Sequence, residues 1–231
     1  MSKLKSLDYI IFTDGSVVWN GRYPGPSNMG REYAAYASVL LNVKTKEYTV
    51  ISSELTNRTI VYCECYAVYK GLDWLARHCE REKDINVLVV SDSQLTVQAI
   101  GYYIPYLWNL KNPNCWRKAN GEIVKGQSAY KLVKGVIDKH PWIHMKIIHI
   151  RAHKDIERYW PEMKEYFTKH GVRSSHEATK LFMYMNRLAD EVAHSLAVEA
   201  REFEIEHGLF YRLKPTKLGG TPYDPDAEVL R

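Results

Sequence analysis

Four carboxylates in four separate stretches carry the chemistry that can be read in this chain. Asp14 closes the apolar run Tyr9-Ile10-Ile11-Phe12-Thr13 and is followed by Gly15-Ser16, while Asp92 closes a second run, Val87-Leu88-Val89-Val90-Ser91. Glu64 and Asp190 lie instead in stretches of helical spacing, in Cys63-Glu64-Cys65 and Asn186-Arg187-Leu188-Ala189-Asp190-Glu191. An ionised carboxylate at the end of a buried strand needs a partner, because desolvating it unpaired is costly. If the four acids converge, divalent cations best relieve their mutual repulsion, and a cation pair held by carboxylates hydrolyses phosphodiesters. Any one of them alone fits a turn or a water-facing helix position equally well. The four together point to a metal-dependent nuclease.

Bringing them together requires strands and helices in alternation. Residues 8–13 predict a buried strand, and the runs 33–43 and 46–54 predict two more, joined tightly at Lys44-Thr45. Val61, Cys65, Val68, Leu72 and Leu75 recur at steps of three and four, which predicts a helix with Glu64 at the border between its buried face and solvent. Ile85–Val90 is continuously apolar, as in a parallel strand covered on both faces. Gln94–Ile104 predicts a helix stopped before Pro105, Gln127–Lys139 another, and Met145–Ile150 a strand. A short helix opened by Pro161 and closed by Gly171 follows. Ser174 and Glu177 have capping-box spacing. They open a long helix whose apolar positions run from Ala178 through Ala189 to Leu196, with Asp190 on its flank, until Gly208 ends it.

The chain's 231 residues, 45% of them apolar, can build one full core. A net charge of +5 permits binding to nucleic acid. That excess is concentrated: between Pro105 and His140 seven basic residues face two acidic ones, with Trp108 and Trp116 interleaved. A cationic strip with aromatic platforms suits tracking of a nucleic-acid backbone. Cys63, Cys65, Cys79 and Cys115 form no paired motif and read as small buried thiols in a reducing compartment. No stretch has the pattern of a signal peptide or a membrane span, so the expectation is a cytoplasmic protein with no membrane partner.

Thr13-Asp14-Gly15-Ser16, the helical Glu64, Ser91-Asp92-Ser93-Gln94 and Asn186-x-x-Ala189-Asp190-Glu191 occur in the order found in the type 1 ribonuclease H family. The chain resembles that family elsewhere too: in the turn Pro24-Gly25-Pro26, in Thr56-Asn57, in the basic Trp116-Arg117-Lys118, and in Ile150-Arg151-Ala152-His153. The likeness spans about residues 8–200. It implies an α/β fold, a five-stranded mixed sheet flanked by helices, here with a helical insertion before the last helix. The catalytic unit would cover 1–207, with 154–183 as the insertion and 208–231 as a loosely ordered tail. The resemblance also implies two Mg²⁺ ions (Mn²⁺ being possible), Asp14 bridging both, Glu64 and Asp92 sharing one with it, and Asp190 holding the other. His153 would aid proton transfer. Gly15, Ser16 and Glu64 would read the RNA 2′-hydroxyl, the group that separates RNA from DNA. Thr56 would serve a phosphate pocket and Asn57 a minor-groove contact, while Trp116, Arg117 and Lys118 would face the DNA strand.

The expected activity is therefore endonucleolytic hydrolysis of the RNA strand of an RNA–DNA hybrid, leaving 5′-phosphate and 3′-hydroxyl ends. The hybrid would be its partner, with no obligate protein partner inferred. Two rivals remain: a structure-selective, resolvase-like DNA nuclease of the same fold, and a module that binds hybrid without cutting it. The segment 154–183 is expected to act as a lid or as an added duplex contact.

Overall fold

The computed structural model describes residues 7–19, 32–56, 58–80, 83–108, 116–117, 120–124, 126–151 and 155–206. Five strands, β1 (Tyr9–Trp19), β2 (Glu32–Asn42), β3 (Tyr48–Thr56), β4 (Ile85–Ser91) and β5 (Ile143–His149), form one sheet in the order β3-β2-β1-β4-β5. The β1–β2 and β2–β3 pairs are antiparallel, and β1–β4 and β4–β5 are parallel. Helices α1 (Ile60–His78), α2 (Gln94–Gln98), α3 (Gln127–Lys139), α4 (Ile156–Lys169) and α5 (His176–Glu206) cover it. This is the mixed, helix-flanked sheet that the family resemblance implies.

Alternation along the central strands builds a core on each face. Ile11, Val87 and Val89 pack with Leu72 and Leu75 of α1 and Val133 of α3. Ile10, Phe12, Leu88 and Val90 point the other way, toward Phe167 of α4 and Phe182 and Ala189 of α5. With both faces buried, β4 has no polar alternation over Val87–Val90, hence the unbroken apolar run there.

Several local expectations are corrected. Asp14 does not end its strand: β1 loses β4 after the pair Thr13↔Ser91 but continues beside β2 as far as Trp19↔Glu32. The polar Asp14-Gly15-Ser16 disguises this, because beyond Thr13 only one neighbour holds the strand. The β2–β3 connection is five residues long, not two, with the Asn42 side chain accepting from the amides of Lys44 (3.0 Å) and Thr45 (3.1 Å) and Lys46 at φ 66.

Pro105 does not stop the helix that follows Asp92. After α2 the backbone widens over Ala99–Leu107 and takes Pro105 inside, with Trp108 N–H reaching back five residues to Tyr103 O at 2.6 Å. A wider turn accommodates a ring that would collide with a tighter one.

Nor does Pro161 open α4. The helix starts earlier, at Ile156, where Asp155 caps it by accepting from Arg158 N–H at 2.9 Å, and Pro161 lies inside. Gly171 does close it, at φ 82, with Gly171 N–H on Thr168 O (2.9 Å) and Val172 N–H on Phe167 O (2.8 Å). That paired closure is the left-handed glycine cap of a helix C-terminus. Ser175, one residue later than expected, caps α5 by accepting from Ala178 N–H at 3.1 Å, and Ser174 instead pairs with the Thr179 hydroxyl at 2.7 Å.

The segment 154–183, expected to act as a lid or as an added duplex contact, also supplies core: Phe167 is wholly buried, and Met163 and Val172 nearly so. Removing it would strip one face of the sheet. The turn at Pro24-Gly25-Pro26 and the tail 208–231 lie outside the described residues. No helix among the described residues is long and apolar enough to cross a membrane.

Candidate metal centre

The parallel β1–β4 pair ends at Thr13↔Ser91, so the next residues, Asp14 and Asp92, emerge side by side at the same edge of the sheet. Helix α1 brings Glu64 over them. Thr59 starts that helix, its hydroxyl accepting from Tyr62 N–H at 3.3 Å. The close approach of helix to strand depends on Gly15, where a Cβ would lie 2.5 Å from Glu64 N and 2.7 Å from the Cys63 carbonyl carbon. Both faces of α1 are therefore occupied near Glu64, which is buried rather than at the solvent border that the sequence suggests. Cys63 and Cys65 are buried, as expected, while Cys79 is half-buried.

Asp14, Glu64 and Asp92 each offer a carboxylate oxygen, and the three atoms lie within 4.8 Å of one another. Burial, then the charges of Asp92 and Asp190, and a hydrogen bond shared with Asp92 push the Asp14 carboxyl up to about 8. Burial pushes Glu64 well above the usual carboxylate range, aided by the charges of Asp14 and Asp92 and, more weakly, Asp190. The Gly15 amide opposes both shifts by hydrogen bonding to the two carboxylates. One Glu64 oxygen, Oε2, is buried with no hydrogen-bond partner.

Asp190, half-buried on α5, stands outside the tight trio but its charge reaches Asp14 and Glu64. It also lines a cavity of about 400 Å³ between the end of β5, α4 and α5.

This donor set fits a divalent cation. All the ligands are hard oxygens, as Mg²⁺ requires. An orphaned carboxylate oxygen and proton-binding acids are what remain when such a charge is taken away. Adding Mg²⁺ or Mn²⁺ at about a hundred times its dissociation constant should stabilise the fold by roughly 2.7 kcal/mol. In a domain of this size that is a rise in Tm of about 5–10 °C, reversed by chelator. A melting curve indifferent to both additions would refute a metal centre.

The other predicted residues fare unevenly. Gly15 and Ser16 sit on β1 directly after Asp14. Thr56 is the last residue of β3, while Asn57, Lys118 and His153 lie outside the described residues. Trp116 is corrected: it is 5% exposed and packs 5.3 Å from Trp108, which in turn lies 5.2 Å from Tyr103 and 5.4 Å from Tyr130. Its ring is part of the core beneath the sheet, so it presents no platform to a DNA strand. Arg117 beside it is exposed, its guanidinium donating to Gly121 O at 2.8 Å.

Sequence reasoning missed two residues. Thr59 had a signal, a capping residue just before the helical stripe. His149 had none: its ring nitrogen lies 2.9 Å from the Asp92 carbonyl oxygen, a contact across 57 positions of sequence.

The sequence matches no curated protein. Among solved structures, the PFV (foamy virus) RNase H domain in solution is similar at TM-score 0.54 and 21% identity, over 83% of this chain and 95% of that one. A foamy viral protease–reverse transcriptase in complex with dsDNA gives 0.53 and 18%, over 86% of this chain and 99% of that one. A Prototype Foamy Virus protease–reverse transcriptase mutant gives 0.50 and 21%, over 84% of this chain but 22% of that one. The chain thus spans about a fifth of the longer reverse transcriptase chains it matches. At these identities the likeness establishes the fold. The model of the RNase H family matches residues 6–197. With most of its length inside that match and its acids gathered at the edge of the sheet, the chain belongs to the RNase H family.

Proposed function

We propose that this protein hydrolyses the RNA strand of RNA–DNA hybrids with two Mg²⁺ ions (or Mn²⁺), leaving 5′-phosphate and 3′-hydroxyl ends. The observation that carries the reading is the buried, unpartnered Glu64 oxygen beside Asp14 and Asp92, within a chain of the RNase H family. Asp14, Glu64, Asp92 and Asp190 would hold the cations. When bound, such ions activate a water and stabilise the departing oxygen.

The chain's own residues set the conditions for this. Asp14 is held by its pairing with Ala37 of β2, and Asp92 directly follows the last β1–β4 pair, so both acids are anchored at the sheet edge. The Gly15 amide favours the charged forms of both Asp14 and Glu64, opposing the effect of their burial. Gly15, Ser16 and the Glu64 carboxylate would meet a ribose 2′-hydroxyl. Exposed Arg117, with Lys118, Thr56 and Asn57, would bind backbone phosphate and the DNA strand, and His153 would move a proton near the leaving group.

The test is cleavage of end-labelled hybrid, double-stranded RNA, double-stranded DNA and branched DNA, each with and without chelator. Metal-dependent cutting confined to the RNA of the hybrid is expected. Cutting of branched DNA with the hybrid intact would establish a structure-selective DNA nuclease instead. Metal-independent binding of hybrid without cleavage would establish a binding module.

A further inference from the structure

We infer that His149 is a positioning residue that holds Asp92 in place from behind and ties the acid cluster to helix α4; the inference rests on the metal-centre reading above. His149 is the last residue of β5 and pairs in register with Ser91, the residue before Asp92. Its Nε2 lies 2.9 Å from the Asp92 carbonyl oxygen. A carbonyl only accepts, so Nε2 carries the hydrogen and donates it. The neighbouring peptide is held as well: Ser93 N–H donates to Ser91 Oγ at 3.2 Å, and Ser93 Oγ donates to Thr96 Oγ1 at 3.0 Å. Asp92 therefore leaves the sheet through a turn restrained on both sides, and its carboxylate has few directions open to it.

His149 is itself anchored. Its backbone amide lies by the Tyr166 phenol of α4, where it partly offsets the upward push that burial gives the phenol. One helical turn on, the Tyr166 ring packs 4.2 Å from His170, which caps α4, and the Lys146 ammonium of β5 donates to the His170 carbonyl. The last turn of α4 is thus fastened to β5 at both Lys146 and His149. Phe167, between those attachments, is wholly buried in the core. The chain of contacts runs from α4 through the His149 backbone and ring to the Asp92 peptide. Partners that orient a metal ligand without touching the metal typically matter by 10–100-fold in affinity or activity.

The test uses the full chain and three variants. His149→Gln keeps an amide N–H at the reach of Nε2, His149→Asn keeps the polarity but stops short, and His149→Leu has no donor. Mg²⁺ and Mn²⁺ binding is measured by titration calorimetry without nucleic acid, alongside the Tm of the metal-free protein. Asn and Leu should each weaken metal binding roughly tenfold, with Gln close to wild type. Raising the metal concentration should then restore hybrid cleavage by the Asn and Leu variants, which loss of packing alone would not allow. Should Leu fail to fold, the Gln–Asn pair carries the comparison. Wild-type affinity in Asn, or a loss in Gln as large as in Asn, would overturn the inference. The tenfold loss in a protein that binds metal but leaves hybrids intact would keep His149's role and remove only the substrate assignment. Failure of the wild-type protein to bind either ion would remove both.

Discussion

Replacing Asp14 with asparagine is expected to lower hybrid cleavage by at least about a thousandfold while making the metal-free protein more stable at neutral pH. The activity loss follows from removing a proposed metal ligand whose carboxylate lies within 4.8 Å of two others. The stabilisation of developing charge that metal ions provide is worth several kcal/mol, and each 1.4 kcal/mol is a factor of ten. The stability gain follows from the shifted carboxyl. Asp14 binds its proton more tightly in the folded protein, with a pKa of about 8 against an ordinary 3.8. Folded protein then holds more protons than unfolded chain between those values, so stability falls as pH rises through that window. Below pH 4 the group contributes its full share; above pH 8 the whole penalty of burying its charge among Asp92 and Asp190 is present.

Asparagine cannot ionise and escapes that penalty. Its Tm without metal should exceed wild type by several degrees at pH 8–9, and the difference should vanish near pH 4. Added Mg²⁺ should reverse the order by stabilising wild type alone. A variant that loses stability at pH 8, or cleaves hybrid at the wild-type rate, would contradict the account of this site.

Gly15→Ala should damage the protein in two ways at once. The added Cβ would stand 2.5 Å from Glu64 N and 2.7 Å from the carbonyl carbon and Cβ of Cys63. Two of those atoms are backbone, so no side-chain rotation relieves the collision, and α1 must move away from β1. Overpacking of this kind costs about 1–3 kcal/mol. The displaced residue is Glu64 itself, and a misplacement near 1 Å can cost a factor of about a hundred in rate. Thermal melts and hybrid cleavage read the two effects separately. Full activity with unchanged Tm would mean that the helix does not depend on this contact. A control lies at Gly135 on α3, where a Cβ meets nothing within 4 Å and alanine should be harmless.

Much of the fold was legible from local patterns. β4 and α3 lie where the apolar run and the helical stripe put them, because strands buried on both faces and amphipathic helices declare themselves over a few residues. Element ends were less legible. Pro161 reads as a helix start and Pro105 as a stop, yet both lie inside helical backbone, since burial of Phe167 and of Ile104 outweighs a lost hydrogen bond. Trp116 was misplaced for a similar reason. An aromatic residue beside Arg117 and Lys118 has the composition of a nucleic-acid platform, and only packing against Trp108, itself against Tyr130, turns it into core.

The site divides along the same line. Type and order of the acids, Asp14, Glu64, Asp92 and Asp190, are properties of the chain, and with them come the metal chemistry and the family likeness. How deeply Glu64 is buried, how far Asp190 stands from the trio, and that His149 grips the Asp92 carbonyl are decided by strand register and by the packing of α1, α4 and α5. Those quantities depend on atoms brought together across dozens of positions, where burial and neighbouring charge set each group's energy. No local pattern carries that information.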